Sequence, residues 1–410
     1  MRSIEGKIVI IGDSIGLPTG YAASTRTTNI ALALSEAGAN VEILLIKPSE
    51  TVYEIKNTES KGFIKNIPFS YTCGETTHSK NWFGRRFQAI EGFLTCANIL
   101  IHQRKNISTV IFYSRNIEVV FPLNLLCKFI GVTCVLELCE WPVTQSANSK
   151  LSAFKKRLFC KYSLSKIDGV IYISQYIKNC VERYETKKNK FISKYHLPIL
   201  SDSSEFEVKY NNGEPIIDYP YFLYCGNLSY LDLLFKTLEC MSLVFKSKPA
   251  FKLIIVGSSD NEEHKIKLEK RIFELGITNE VILKGFVSKS QLINLYKSAY
   301  SLILPLDDDA LSNARFPTKL SEYLLSARPV VVSNTGEIGM HLLNNISAYI
   351  PEDCSIEGFT ERALHAINNP EEATLVGQTG KAVALKDFNY KTYAHSLLEW
   401  INKLAISESK

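Results

Sequence analysis

The chain has 410 residues, 46% of them hydrophobic and 22% charged, which excludes a disordered, collagen-like or low-complexity protein. It is longer than one core usually supports, so two domains of ~150–200 residues are expected. The net charge of +5 is too small to imply a nucleic-acid binder.

Short apolar runs alternate with helical patterns from the start. KIVIIGDS (7–14) reads as a strand, and the loop GLPTGYAAS follows it. A helix with apolar positions Ile30, Leu32, Ala33 and Leu34 runs to Gly38, and VEILLI (41–46) is the next strand. This is a βαβ unit, for which a right-handed crossover is the default. TVIFY (109–113), TCVLEL (133–138) and GVIYIS (169–174) are further buried strands, with helices around 84–103, 119–130 and 148–165. A polar, turn-rich linker spans about 197–217. The pattern then restarts, with strands at 221–226, 251–257, 280–285, 300–306 and 329–334. Helices are expected between them, near 231–245, 260–275, 288–298 and 317–327, and an apolar-periodic helix over 388–406.

The expected fold is α/β, with two doubly wound, mainly parallel sheets. The domains are predicted at 1–200 and 218–387, with residues 388–410 packing back on the N-terminal domain. In such sheets ligands bind in the crevice at the carboxyl ends of the strands.

The ten cysteines are scattered, without a C-x-x-C, and the seven histidines form no clustered ligand set. Buried reduced thiols in a cytoplasmic protein are expected, with no structural zinc or other metal. The start, MRSIEGKIVIIGDS, does not read as a signal peptide, since its apolar run is only Ile8–Ile11. The most apolar window, Val119–Leu138, is broken by Pro122, Asn124 and Lys128, so it reads as a buried helix and strand rather than a membrane span. Residues 1–200 hold 26 Lys/Arg against 15 Asp/Glu, and residues 201–410 hold 21 against 27. Chance explains this asymmetry as readily as a basic half facing anionic lipid or an anionic acceptor.

The densest constellation is ARFPTKLSEYL (314–324). Pro317 suits the first position of a helix. The amides of Thr318 and Lys319 would then lie in the first turn, where partial positive charge can take a phosphate. Lys319 adds a full charge. Glu322 lies on the same face one turn on and can accept bonds from the two hydroxyls of a ribose. An ordinary helix start with a surface Lys–Glu pair is the competing reading.

Near the N-terminus, Gly20 would let the backbone approach a phosphate or sugar closely, and Arg26 could neutralise an anion there. A tight strand–helix turn explains the same residues. The loop is not G-x-G-x-x-G, so a nicotinamide site is not supported. In LELCEWP (136–142), Glu137, Glu140 and Trp141 would sit at the crevice. A capped strand end with a packed Trp is the alternative. Trp82, Phe83, Arg85, Arg86 and Phe87 form a basic-aromatic cluster that suits a membrane interface or a solvated helix start covered by its own domain. Lys150, Lys155, Lys156, Arg157 and Lys161 read as a solvated face.

The order of these pieces resembles the retaining glycosyltransferases of family 4, which have the GT-B fold. The resemblance runs through PTGYAASTRTTNIALALSEAGANV, DGVIYISQYI, HLPILSD, YFLYCGNL, KLIIVGSS and VILKGFVSKSQLINLYKSA. It continues through YSLILPL, PTKLSEYLL and SARPVVVSNTGE. It implies a nucleotide-diphosphate sugar donor bound by the C-terminal domain, a glycan or lipid-linked acceptor over the N-terminal domain, and no resident metal or other cofactor. It implies donor contacts from Gly226, Asn227, Gly257, Asn313, Pro317, Thr318, Lys319 and Glu322, with Phe286 and Val287 near the nucleotide base. It assigns the leaving diphosphate to Lys319 and Arg315, and it makes Glu140 the preferred polar contact to acceptor or sugar. A cytoplasmic or membrane-peripheral role in surface polysaccharide assembly follows from the same likeness.

Two places depart from the pattern. The family carries two glutamates eight positions apart; Glu322 matches the second, but Ala314 stands at the first. After Gly226 the family often has Arg, with a Lys some five residues on, where this chain has Asn227 and about Asp232. A non-catalytic sugar-nucleotide-binding subunit and a sugar-nucleotide epimerase therefore stand as alternatives.

Overall fold

Strand β1 (Lys7–Gly12) is followed by α1 (Ala22–Glu36), β2 (Val41–Leu45) and a hairpin of β3 (Lys61–Ile64) and β4 (Ile67–Tyr71). Next come α2 (Trp82–His102), β5 (Ile107–Tyr113), α3 (Ile117–Ile130), β6 (Thr133–Leu138), α4 (Lys150–Tyr162), β7 (Gly169–Tyr172), α5 (Gln175–Lys188) and β8 (Ser193–His196). A short α6 (Ser204–Glu207) leads to β9 (Tyr221–Cys225), α7 (Leu231–Ser247), β10 (Lys252–Val256), α8 (Glu262–Glu274), β11 (Val281–Gly285), α9 (Lys289–Ser298) and β12 (Ser301–Leu304). The remaining elements are α10 (Ala310–Ala314), α11 (Thr318–Leu325), β13 (Val330–Val332), α12 (Ile338–His341), α13 (Ile356–Asn368) and α14 (Pro370–Val383). A π-helical turn over Ala384–Phe388 precedes α15 (Tyr390–Ser407). The computed structural model describes residues 6–13, 15–52, 55–142, 150–208, 217–259 and 261–407. Ser14 of the first expected strand, positions 148–149 of an expected helix and positions 209–216 of the expected linker lie outside them.

The chain divides into two units. The first is Met1–Leu200 with Tyr390–Lys410, and the second is Ser201–Asn389. In the first, eight strands run in the order β3-β4-β2-β1-β5-β6-β7-β8. All neighbours are parallel except the β3–β4 hairpin. β1, β5 and β6 are almost continuously apolar because helices cover both faces. Right-handed crossovers put α1 on one face and α2 to α5 on the other.

The last helix completes the first face. Leu397 and Ile401 of α15 join Ile30 and Leu34 of α1 and Ile10 of β1 in one core. Gly169 permits the close seat of α15: a Cβ there would lie 2.6 Å from Leu404 Cδ1 and 2.8 Å from the Trp400 ring. Trp400 Nε1 also donates to Ser193 Oγ at 2.9 Å.

The second unit has a fully parallel sheet in the order β11-β10-β9-β12-β13. Phe222, Leu253, Ile303 and Val331 from its strands share a core with Leu238 of α7 and Phe359 of α13. The α/β, doubly wound architecture expected from the sequence is the one observed. The β3–β4 hairpin, β8, α5, α6, α10, α12, α13 and α14 had no counterpart in that expectation. Among the described residues no helix is long and apolar enough to cross a membrane.

Candidate functional site

The strand order of the second unit reverses between β9 and β12. Loops leaving the carboxyl ends of those two strands therefore diverge, and a doubly wound sheet opens its ligand crevice at that point. Most of the residues singled out from the sequence converge there.

Gly226 and Gly257 follow β9 and β10, and they touch backbone to backbone. A Cβ on Gly257 would lie 1.8 Å from the Gly226 carbonyl oxygen, and Gly257 has φ +152°. The Gly226 N–H donates to Val256 O at 3.0 Å. Close approach of two strand ends thus accounts for Gly257 without a ligand, while a Cβ on Gly226 would crowd the Tyr224 ring, 2.9 Å from its hydroxyl. Asn227 shapes the next turn, its Oδ1 accepting from the Ser229 N–H at 2.8 Å.

Helix α11 begins one residue later than the sequence pattern predicts. Pro317 is its N-cap, with φ −64° and ψ 116°, rather than its first helical residue. The extended ψ aims the chain away from helix until Thr318, so the amides of Thr318 and Lys319 still occupy the first turn. Lys319 and Glu322 meet as predicted by their spacing, with Nζ to Oε2 at 2.9 Å. The pair is not the surface contact of the competing reading, because Glu322 is buried. Its other oxygen accepts from Lys289 Nζ of α9 at 2.7 Å, and Tyr296 donates its hydroxyl to Oε2 at 3.1 Å. Burial alone would raise the Glu322 carboxyl; Lys289 and Lys319 outweigh it and hold it well below the usual carboxylate range. Lys289 also pairs with Glu205 of α6 at 3.3 Å. Burial would lower the Lys289 ammonium, and Glu322 and Glu205 together raise it. Next to Glu322, the Tyr323 hydroxyl accepts the Cys225 N–H at 2.6 Å, fastening α11 to the end of β9.

Arg315 lies over the Tyr230 ring at 5.4 Å and bonds its hydroxyl at 3.2 Å, linking the stretch before α11 to the β9–α7 turn. Asn313 donates to Asp308 Oδ1 at 2.8 Å and accepts from the Gly336 N–H at 3.0 Å. These contacts draw the β12–α10 loop and the 334–337 turn together. Ala314 between them is buried. Phe286 and Val287 follow β11; Phe286 is exposed and Val287 half-buried. Two cations went unread in the sequence. Lys289 lies 33 positions before its carboxylate partner. Lys236, from the second turn of α7, pairs with Asp307 just after β12. Only their position after a strand, on a helix that starts at the same edge, could have flagged them.

The first-unit candidates are a separate matter. Gly20 serves a tight turn: a Cβ there would fall 1.9 Å from Ser24 Oγ and 2.5 Å from Gly16 O. The expectation that Arg26 faces an anionic ligand is corrected. Its guanidinium is buried, with Nε on Glu137 Oε1 at 2.5 Å and the two terminal nitrogens on Pro198 O and Leu197 O at 2.7 and 2.9 Å. Glu137 is consequently an internal counter-ion rather than a group at the crevice, and burial pushes its carboxyl up against the pull of Arg26. Cys139 follows, its thiol pushed up to about 11, first by burial and then by Glu137. Glu140 is half-buried and paired with Arg115, which follows β5. Among the described residues no group of three or more His, Cys, Asp and Glu side chains could hold a metal ion.

Residues 210–383 match the family model described as glycosyl transferases group 1. An uncharacterized glycosyltransferase of Methanocaldococcus jannaschii is 23% identical over 241 residues, which is 57% of this chain and 60% of that relative's length. Sucrose-phosphate synthase from Thermosynechococcus elongatus is similar in structure, with a TM-score of 0.73 and 15% identity, over 98% of this chain and 100% of its own. HepE of Anabaena, solved in complex with UDP and glucose, has a TM-score of 0.70 and 13% identity, over 95% of this chain and 98% of its own. With these neighbours and two doubly wound units, the chain has the GT-B fold, and its second unit carries a glycosyl transferases group 1 domain.

Proposed function

We propose that the chain is a retaining glycosyltransferase that moves a sugar from a nucleotide-diphosphate sugar to a glycan or lipid-linked acceptor in surface polysaccharide assembly. The observation that carries this reading is the buried Glu322 carboxylate at the switch point, shared by Lys319, Lys289 and Tyr296. The group 1 match, and the UDP and glucose bound in the Anabaena neighbour, support it.

A carboxylate offers about four acceptor positions. Lys289 takes one on Oε1, and Lys319 and Tyr296 take two on Oε2. A ribose presenting two hydroxyls needs two, so one of the three donors must leave. Lys319 is the useful one to release. It sits in the first turn of α11, where unpaired amides and the helix dipole favour a diphosphate. Ribose binding would hand Lys319 to the leaving group, while Lys289, anchored by Glu205, keeps Glu322 ionised.

As the glycosidic bond breaks, negative charge grows on the departing nucleoside diphosphate and positive charge on the anomeric carbon. Lys319, Arg315 and the amides of Thr318 and Lys319 meet the first. Donors fixed beforehand need no reorientation during the step. Gly226, Asn227, Gly257, Asn313 and Pro317 shape the floor and walls around the diphosphate, and Phe286 and Val287 lie towards the base. Glu140 is the proposed polar contact to acceptor or sugar in the first unit. Side chains and amides supply the positive charge, so turnover is expected to persist in EDTA.

A second reading has one observation behind it. Ala314 is buried where the resembling family has glutamate, which favours a chain that binds donor without turning it over. One experiment separates the two. The chain is incubated with UDP-, GDP-, ADP- and CMP-sugars, nucleoside diphosphate release is assayed, and the anomeric configuration of any product is read by NMR. Release with retention upholds the proposal. Inversion, or epimerised donor with no release, overturns it. Tight binding with no release in the presence of glycan and lipid-linked acceptors supports the second reading instead.

A further inference from the structure

Helix α2 has two apolar faces. One, with Cys96 and Leu100, is buried, and Gly92 lets that face press on the end of β2, since a Cβ there would meet Ile46 O at 1.9 Å. The other points outward. Phe83, Phe87, Ile90, Leu94 and Ile101 recur at steps of four, three, four and seven, which is a single stripe on a helix. Phe83 is 78% exposed, Phe87 67% and Leu94 60%. Of the two readings open for the basic-aromatic cluster, cover by its own domain is therefore removed. At ~1.5 Å per residue the stripe is roughly 27 Å long, and monomeric proteins rarely leave so continuous an apolar surface without a use.

Two further helices of the same unit carry exposed aromatics. Phe129 of α3 and Phe154 of α4 are exposed as well. Charged side chains link the three helices: Lys155 of α4 bonds Glu118 of α3 at 2.6 Å, and the field of Arg86 from α2 acts on the same carboxyl. Positive charge rims the apolar surface. Arg85 and Arg86 are exposed beside Phe83 and Phe87, Arg86 lies over the Trp82 ring at 5.3 Å, and Arg157 and Lys161 are exposed on α4.

We propose that the outer face of α2, α3 and α4 is a docking surface for an anionic phospholipid membrane, with the α2 stripe entering the headgroup boundary. Three features select this occupant. Apolar side chains flanked by Arg and Lys, with Trp82 at the border, are the composition of a helix lying in an interface. Residues 1–200 carry 26 basic against 15 acidic side chains, so the charge suits an anionic surface. A second copy of the chain would set arginines against arginines, which opposes self-association through this face. The inference does not depend on the donor reading, because lipid binding is measured without any sugar nucleotide.

The test is co-sedimentation of the full chain with phosphatidylcholine vesicles, with and without phosphatidylglycerol, at low and high salt. Binding to the anionic vesicles only, weakened by salt, is expected. The outward substitutions Phe83→Ser with Phe87→Ser should reduce it about tenfold or more by removing buried apolar area. Arg85→Gln with Arg86→Gln should reduce it about tenfold or more by removing ~1 kcal/mol per basic side chain. Absence of binding to anionic vesicles at low salt overturns the proposal. So does binding that neither pair of substitutions changes. A dimer in solution that Phe87→Ser converts to monomer would assign the face to a second copy and overturn it too.

Discussion

Replacing Glu322 with glutamine keeps the shape of a buried side chain and removes its charge. In the native chain that charge accepts from Lys289 at 2.7 Å and from Lys319 at 2.9 Å. A hydrogen bond to a charged group contributes about 1.5–3 kcal/mol. Both ammonium groups retain partial access to water, and Lys289 keeps Glu205, so the net loss should be about 2 kcal/mol rather than the sum. For a unit of 150–250 residues this lowers Tm by about 4–8 °C. Acid dependence separates this loss from a packing defect. The Glu322 carboxyl is held below its ordinary value, so its contribution is complete above the unfolded value and is lost as pH falls towards the folded one. The native and Glu322→Gln melting points should therefore differ at neutral pH, begin to approach one another only below about pH 4, and keep closing as the medium becomes strongly acid. Donor affinity should fall about 10–100-fold, because the ribose loses its charged acceptor. Thermal scans across pH, with calorimetric titration of nucleotide sugars at neutral pH, measure both effects. Equal melting points at pH 7 would refute the network's role in stability. Unchanged affinity for every nucleotide sugar would refute the ribose assignment.

Lys319→Ala should lower kcat by about 2.7–4 kcal/mol in barrier, as for one preorganised donor, and an enzyme within twofold of the native chain would reject that role. Arg26→Met should destabilise the first unit by about 3–5 kcal/mol in urea unfolding, because it strands Glu137 and two carbonyls. A loss under about 1 kcal/mol would show the clamp to be incidental. Gly257→Ala should prevent the β9 and β10 ends from meeting and abolish donor binding. Gly276→Ala, with φ +68° and open space around it, should cost only about 1–2 kcal/mol. The reverse order of severity would contradict the account of these turns.

The strands with unbroken apolar runs were legible because both faces of a parallel sheet are buried, and periodicity alone finds such runs. The β3–β4 hairpin was not. Its first strand, KGFI, is half-exposed, and its turn uses Lys65 and Asn66 at φ 48° and 69° without the glycine that usually marks such a turn. The polar SKYH of β8 hides for a similar reason, since its burial comes partly from α15, far away in sequence. At the site, the Lys319–Glu322 contact was readable because it spans one helical turn. The Lys289, Lys236 and Tyr230 contacts were not, since tertiary folding alone brings them in. Arg26 shows the opposite failure. An arginine beside a ligand loop looks functional until partners 111 and 172 positions away consume its donors.

The docking of α15 on α1 bears on how the protein is made. Domains emerging from the ribosome usually fold in order, N-terminal first. Here the helix that covers Ile30 and Leu34 is translated only after the whole second unit. The nascent first unit must therefore wait with one greasy flank uncovered while the second is synthesised. Chaperone dependence during translation, and aggregation of chains released before residue 390, are the expected costs of closing the core with its last-made piece.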